Sequence, residues 1–276
     1  MDDEYLLVSD KPHIKLRHRY LPSLDEKDKN RTILVIPGWL DNIDARMPLL
    51  QSFQKISNVI MFEPLGYGKS SAIKRRGMYN INIIADELAQ IISHYNLEGS
   101  EFYLWGSCAG SAIAYQYYID KKGPKPRALL MASPESKFKT KWWFDVLNLF
   151  PYPLQWMYYK MIMFILKVYM KRKSPDDVRN IDYSLRRFNE TSLFVQLRIL
   201  IELVHRYDIR GREEELDIPQ LILLAENDWF TDADNSRKLV NYHPKSKVIS
   251  YGDVHRFIVG NEDSISESIN DYINSI

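Results

Sequence analysis

The sequence predicts an α/β protein: a mostly parallel sheet flanked by helices, with a helical segment inserted late in the chain. Three observations predict it. Short apolar runs that read as buried strands alternate with segments of helical period as far as Met131. Residues 135–215 abandon that alternation and read as helical and aromatic, after which 219–225 resumes the sheet. So long an interruption is not expected of structureless loop, so it reads as a helical cap or lid over the strand ends. Finally, an aromatic strand beginning at Glu101 meets a small-residue helix through a turn framed by Gly106 and Gly110. The expected organisation is a core from 1–134 and 216–276, with the lid at 135–215.

The elements follow in order. Residues 5–9 and 14–20 read as strands joined at Asp10-Lys11-Pro12, an antiparallel start to the sheet. Residues 22–31 form a charged, solvated loop, and 32–37 is a buried strand stopping at Pro37-Gly38-Trp39. A helix is expected over 48–56. The strand 58–62 runs into the glycine-rich turn Gly66-Tyr67-Gly68-Lys69-Ser70. Ile81, Ile84, Leu88, Ile91, Ile92 and Tyr95 fall at helical spacing over 80–97, with Gly99 as the C-cap candidate. Beyond Gly110 a helix runs to 119, and 127–131 is the next strand. A helix over 234–240, a strand over 247–251 and a helix over 263–273 close the chain.

Bulk properties narrow the function classes. A chain of 276 residues, 45% hydrophobic and 13% aromatic, has material for one large core. A net charge of +1 carries no nucleic-acid signature. One cysteine, Cys108, allows no internal disulfide and suits a reducing compartment, so a cytoplasmic location is expected. The acidic, polar N-terminus does not read as a secretory leader, and no apolar run is long enough to span a bilayer. No His, Cys, Asp or Glu cluster has ligand spacing, so neither metal nor cofactor is expected. The 66–70 turn has the wrong spacing for a phosphate-binding P-loop.

The chemistry centres on Gly106-Ser107-Cys108-Ala109-Gly110. Its strand–turn–helix context is that of a nucleophile elbow, G-x-Nu-x-G, and the glycine frame selects Cys108 rather than Ser107. A buried cysteine is ordinarily a small hydrophobe. A cysteine nucleophile further requires a base, an orienting acid and oxyanion donors.

With Pro37-Gly38-Trp39, Gly66–Ser70, Gly106–Gly110 and the turns at Asp228 and His255, the chain resembles the α/β-hydrolase fold superfamily over nearly its full length. In that family the acid and then the histidine follow the nucleophile, each after a strand. The resemblance therefore implies Cys108, Asp228 and His255 as a triad, with Trp39 and Ala109 N–H groups as the oxyanion hole. Glu226, Asp232 and Asp234 are rival acids, and Glu135 follows the preceding strand, where some members carry theirs. The remaining histidines, His13, His18, His94, His205 and His243, have no such context and read as surface or packing residues. Pro37 replaces the family's usual histidine, and Glu63 stands where Asp is frequent. Cysteine in place of serine is similar to dienelactone hydrolases and polyhydroxyalkanoate synthases, which carry a G-x-C-x-G box. The chain is short for the synthases.

The resemblance implies hydrolysis of an ester or thioester through an acyl-cysteine. The alternatives are acyl transfer or cyclisation by the same triad, and a non-catalytic binder of a hydrophobic ligand. The lid carries the substrate hint. Between Lys137 and Lys173 there are eight Lys or Arg against one acid, Asp145, and eleven aromatics. Trp142, Trp143, Trp156 and Trp229 are the candidate substrate-binding residues. The expected partner is a small acyl substrate, free or linked to CoA or a carrier, with no nucleic acid. Over 153–173 one helix is apolar nearly all round, with Lys160, Lys167 and Lys171 in a narrow stripe. Either this helix packs on the core with snorkelling lysines, or it meets an anionic membrane peripherally. Ser174-Pro175-Asp176-Asp177 reads as a new helix start, and 192–207 as an amphipathic helix.

Overall fold

Continuous apolar strands need cover on both faces, and the fold supplies it. The computed structural model describes residues 4–39, 41–98, 101–140, 143–173, 191–228, 231–252 and 257–276. The described strands are β1 (Glu4–Asp10), β2 (His13–Leu21), β3 (Arg31–Ile36), β4 (Asn58–Phe62), β5 (Glu101–Ser107), β6 (Ala128–Ala132), β7 (Gln220–Leu224) and β8 (Lys247–Ser250). They form one eight-stranded sheet in the order β1-β2-β4-β3-β5-β6-β7-β8. β1 pairs with β2 and β2 with β4 antiparallel; every other pairing is parallel. The expected antiparallel start followed by a parallel sheet is therefore what the chain builds.

Alternation along the strands sorts side chains to two layers. Leu34, Ile36, Phe102 and Leu104 join one buried cluster with α2 (Ile81–His94) and α3 (Ala109–Ile119). Ile33, Val35, Tyr103 and Trp105 join the other, with α1 (Ile43–Phe53) and α8 (Glu262–Ser275). β5 lies between β3 and β6, with Ile36 opposite Gly106 and Ala132 opposite Ser107. The ends of these three strands thus meet at the glycine-framed turn.

Two helix ends differ from expectation. α1 begins at Ile43, not at Pro48, because the Asn42 side chain caps it by accepting the Ala45 N–H at 2.8 Å. Pro48 lies inside the helix. α2 ends at His94, and Asn96 takes the closing place expected of Gly99: it adopts φ 51°, and the following Leu97 N–H returns to Ile92 O at 3.1 Å. Asparagine tolerates the left-handed conformation that closes a helix this way. Gly99 lies outside the described residues.

Between β6 and β7 the chain forms α4 (Trp143–Leu149), α5 (Tyr152–Lys173) and α6 (Leu193–Arg198). α6 continues as a π-helical turn over Ile199–His205. α7 (Ala233–Lys238) follows β7. The expected helix start at 174–177 falls outside the described residues.

The insertion is clamped to the core through Arg198. Its side chain is 1% exposed, donates to Asn148 Oδ1 at 2.6 Å and Gln155 Oε1 at 2.5 Å, and lies 3.8 Å from Glu202. Glu202 in turn accepts the Gly77 and Tyr79 N–H groups at 2.9 and 3.0 Å. One buried cation thus ties α4 and α5 to the loop ahead of α2.

Candidate active site

Cys108 sits where β5 turns into α3, with φ 50° and ψ −111°. A non-glycine residue held there carries strain of order 1–3 kcal/mol, which surrounding structure must impose. The constraint is visible. The Cys108 N–H donates to Ala132 O on the neighbouring strand at 2.9 Å, and its carbonyl accepts Ser111 N–H at 3.0 Å. The glycine frame makes the turn sterically possible. A Cβ on Gly106 would lie 2.7 Å from Gly110 C and O, and one on Gly110 would collide with the Ile36 and Pro37 carbonyls. Cys108 is a free thiol, 6% exposed.

One further segment closes on this turn. The chain leaving β3 passes so close that a Cβ on Gly38 would be 3.0 Å from Ser107 O, which brings the Trp39 backbone beside the elbow. Ala109 opens α3, so its N–H has no carbonyl one turn back to bond. At the β7–β8 edge of the sheet, Glu226 N–H donates to Gly252 O at 2.8 Å and Tyr251 N–H to Leu224 O at 2.9 Å. These bonds bind the turn after β7 to the turn after β8. Asp228 lies on the first, half-buried, accepting Thr231 Oγ1–H at 2.6 Å and Thr231 N–H at 3.3 Å. Gly252 leads into the segment that contains His255. His255 lies outside the described residues, as do Trp142 and Trp229.

A family model described as alpha/beta hydrolase fold matches residues 31–161. Solved structures agree over the whole chain. An α/β-hydrolase enzyme, MGS-M2, from a Medee basin deep-sea metagenome library superposes with TM-score 0.75 at 14% identity, covering 98% of this chain and 97% of that one. An esterase from Exiguobacterium antarcticum gives 0.74 at 14% identity, covering 99% and 100%. The enol-lactonase from Burkholderia xenovorans LB400 gives 0.72 at 12% identity, covering 98% and 100%. This chain has the α/β-hydrolase fold. No curated protein matches it by sequence.

In this α/β-hydrolase-fold protein the rival acids have other partners. Asp232 caps α7 by accepting Asp234 N–H at 3.0 Å and pairs with Lys139 at 2.6 Å, which lowers its pKa. Asp234 and Glu226 both pair with Arg237. Glu135, just after β6, is fully buried. One of its oxygens accepts the Asp232 N–H, and the other has no hydrogen-bond partner among the described residues. Burial raises its pKa to about 7, with the nearby Asp232 charge adding to the shift. Glu135 therefore braces the Thr231–Asp232 turn from beneath.

The sheet edge opposite β8 and the insertion account for several of the other named residues. His18 donates to or accepts from Tyr95 Oη through Nδ1 at 2.6 Å and packs against the His94 ring, while burial lowers its pKa. His205 bridges Thr140 Oγ1 at 2.6 Å and Asp145 at 3.2 Å between parts of the insertion. Trp156 lies on the outward side of α5, 40% exposed, with Lys160 Nζ 4.2 Å above its ring. The inward positions belong to Gln155 and to Tyr159, whose hydroxyl donates to Gln196 Oε1 at 3.1 Å. Of Trp143 only the backbone, at the head of α4, is described. Tyr159 was not singled out by sequence, because a helix apolar on all sides gives no period with which to choose an inward face.

Proposed function

We propose that this protein is an acyl hydrolase in which Cys108 is the nucleophile, His255 the proton carrier and Asp228 the residue orienting His255. The observation that carries the reading is the strained Cys108 backbone at the head of α3, held by Ala132 O and crossed by the chain beyond β3. Such strain persists where the turn must present a side chain at a strand end. The Asp228 carboxylate, oriented by Thr231, and its turn's hydrogen bonds to the β8 turn support the rest.

The reaction follows from these roles. His255 accepts the Cys108 thiol proton as sulfur attacks the acyl carbon of an ester or thioester. The tetrahedral oxyanion receives the Ala109 and Trp39 N–H groups, aided by the positive end of α3. Collapse breaks the bond to the leaving alcohol or thiol, which takes the proton from His255. Water, deprotonated by His255, then cleaves the acyl–sulfur bond, releasing the acid and restoring the thiol. A thioester also passes its acyl group to alcohols and amines, so transfer to an acceptor uses the same intermediate. Residues 135–215 act as the lid of a hydrophobic acyl pocket, and a reducing, cytoplasmic setting keeps the lone thiol available.

Chromogenic esters and acyl-CoA thioesters of graded chain length test this reading. Turnover by the wild type, lost in Cys108→Ala with an unchanged melting temperature, is expected. Equal turnover by both proteins would overturn it. No turnover with saturable ligand binding would assign the protein to non-catalytic binding.

A further inference from the structure

We propose that the outward face of α5, with the α4–α5 junction, docks on an anionic lipid surface. The inward side of α5 is held to the insertion: Gln155 and Tyr159 are buried and bonded to Arg198 and Gln196. The opposite side is apolar and exposed. Leu149 is 81% exposed, Phe164 68% and Met157 59%, and Leu154, Met161 and Ile165 are exposed with them. Met157, Met161, Phe164 and Ile165 recur at spacings of three, four and seven or eight, so they fall on one side of the helix. Apolar residues grouped in this way mark interaction sites rather than ordinary surface.

Charge selects the occupant. Lys160 flanks this face above Trp156, and Lys167 and Lys171 continue along α5 at spacings of seven and four. From Trp143 to Lys173, the stretch that forms α4 and α5, the sequence holds five cationic residues and one anionic residue. A second copy of the chain would set like charges against one another. An anionic bilayer complements them, and its interface accepts long aliphatic side chains beside a lysine such as Lys160, with tryptophan at the boundary. The exposed side chains are flexible Leu, Met, Ile and Phe without hydrogen-bonding groups, which suits a fluid lipid surface better than a shaped protein groove. No described helix is long and apolar enough to cross the membrane, so contact is peripheral.

Flotation of the full chain with vesicles tests the proposal, using phosphatidylcholine alone and phosphatidylcholine containing about a quarter phosphatidylserine. The wild type should float with the anionic vesicles at least tenfold better than with the neutral ones, and added salt should weaken it. Combined Met157→Ser, Met161→Ser and Phe164→Ser should reduce binding tenfold or more without changing the melting temperature. Lys160→Glu should reduce it separately, which keeps the test valid if the triple variant fails to fold. Absence of vesicle binding, or binding indifferent to lipid charge and to both variants, would overturn the proposal. So would a concentration-dependent dimer abolished by the triple variant, which would assign the face to a second copy. Retention on immobilised polyglutamate without vesicle binding would assign it to an acidic protein.

Discussion

Glu63, at the end of the chain's run through β4, accepts a hydrogen bond from the Ile43 N–H at 2.9 Å. The same carboxylate accepts the Lys69 N–H at 2.7 Å and Arg17 Nη1–H at 3.0 Å. Arg17 is 1% exposed and also pairs with Asp44 at 2.7 Å. One buried carboxylate thereby joins the loop after β3 to the glycine-rich turn after β4. Its pKa is raised by burial, against the lowering effect of the two N–H donors and Arg17. Glu63→Ala removes this hub and takes the Glu63 carboxylate away from the buried Arg17. A loss of about 3–5 kcal/mol in denaturant unfolding is expected. A loss below about 1 kcal/mol would show that the loops hold themselves.

Glu87 makes stability depend on pH. It is 3% exposed, accepts the Leu65 N–H at 2.9 Å, and burial raises its pKa to about 8. The folded state holds this proton more tightly than the unfolded chain, where the ordinary value is near 4.5. Stability therefore declines as pH rises from about 4.5 through about 8, by up to about 1.4 kcal/mol per pH unit. Glu135, raised to about 7, acts with the same sign over the lower part of that range. Glu87→Gln should melt with the wild type near pH 5 and above it at about pH 8.5. Equal melting at both pH values would contradict the assignment.

Arg198→Met tests the clamp on the insertion. The substitution strands the acceptors of Asn148 and Gln155 and leaves Glu202 without its cation. Breaking a buried ion pair from one side costs about 3–5 kcal/mol. Limited proteolysis should cut the chain near the α4–α5 junction much faster than in the wild type. An unchanged digestion pattern would place the anchoring elsewhere.

Thr231→Val keeps the shape but removes the 2.6 Å hydroxyl bond to Asp228. With substrate binding untouched, kcat should fall by about tenfold at similar KM, since a side-chain hydrogen bond to a charged group contributes roughly 1.5–3 kcal/mol. The same fall in a background lacking Asp228 would show that Thr231 acts by another route.

Much of the fold was legible because local patterns and tertiary packing agree. Buried strands such as β4 carry unbroken apolar runs, here Val59 to Phe62, and Gly106 and Gly110 mark a crossing that no Cβ fits. Helix ends were less so. A proline drew the start of α1 to Pro48, whereas the competing Asn42 cap lies six residues earlier in the chain. The hubs were not legible at all. Arg17, Asp44 and Glu63 meet only because β2 and β4 pair, and a lone charge in sequence gives no sign of a buried partner. On α5, an apolar sequence without period concealed that Tyr159 turns inward and Trp156 outward.

The most direct test is intact-mass analysis of protein quenched during reaction with an activated acyl ester, followed by peptide mapping. The acyl-cysteine mechanism predicts one added acyl group on the peptide bearing Cys108, absent in Cys108→Ala and removed with time in the wild type. Turnover without any adduct, surviving in Cys108→Ala, would contradict it.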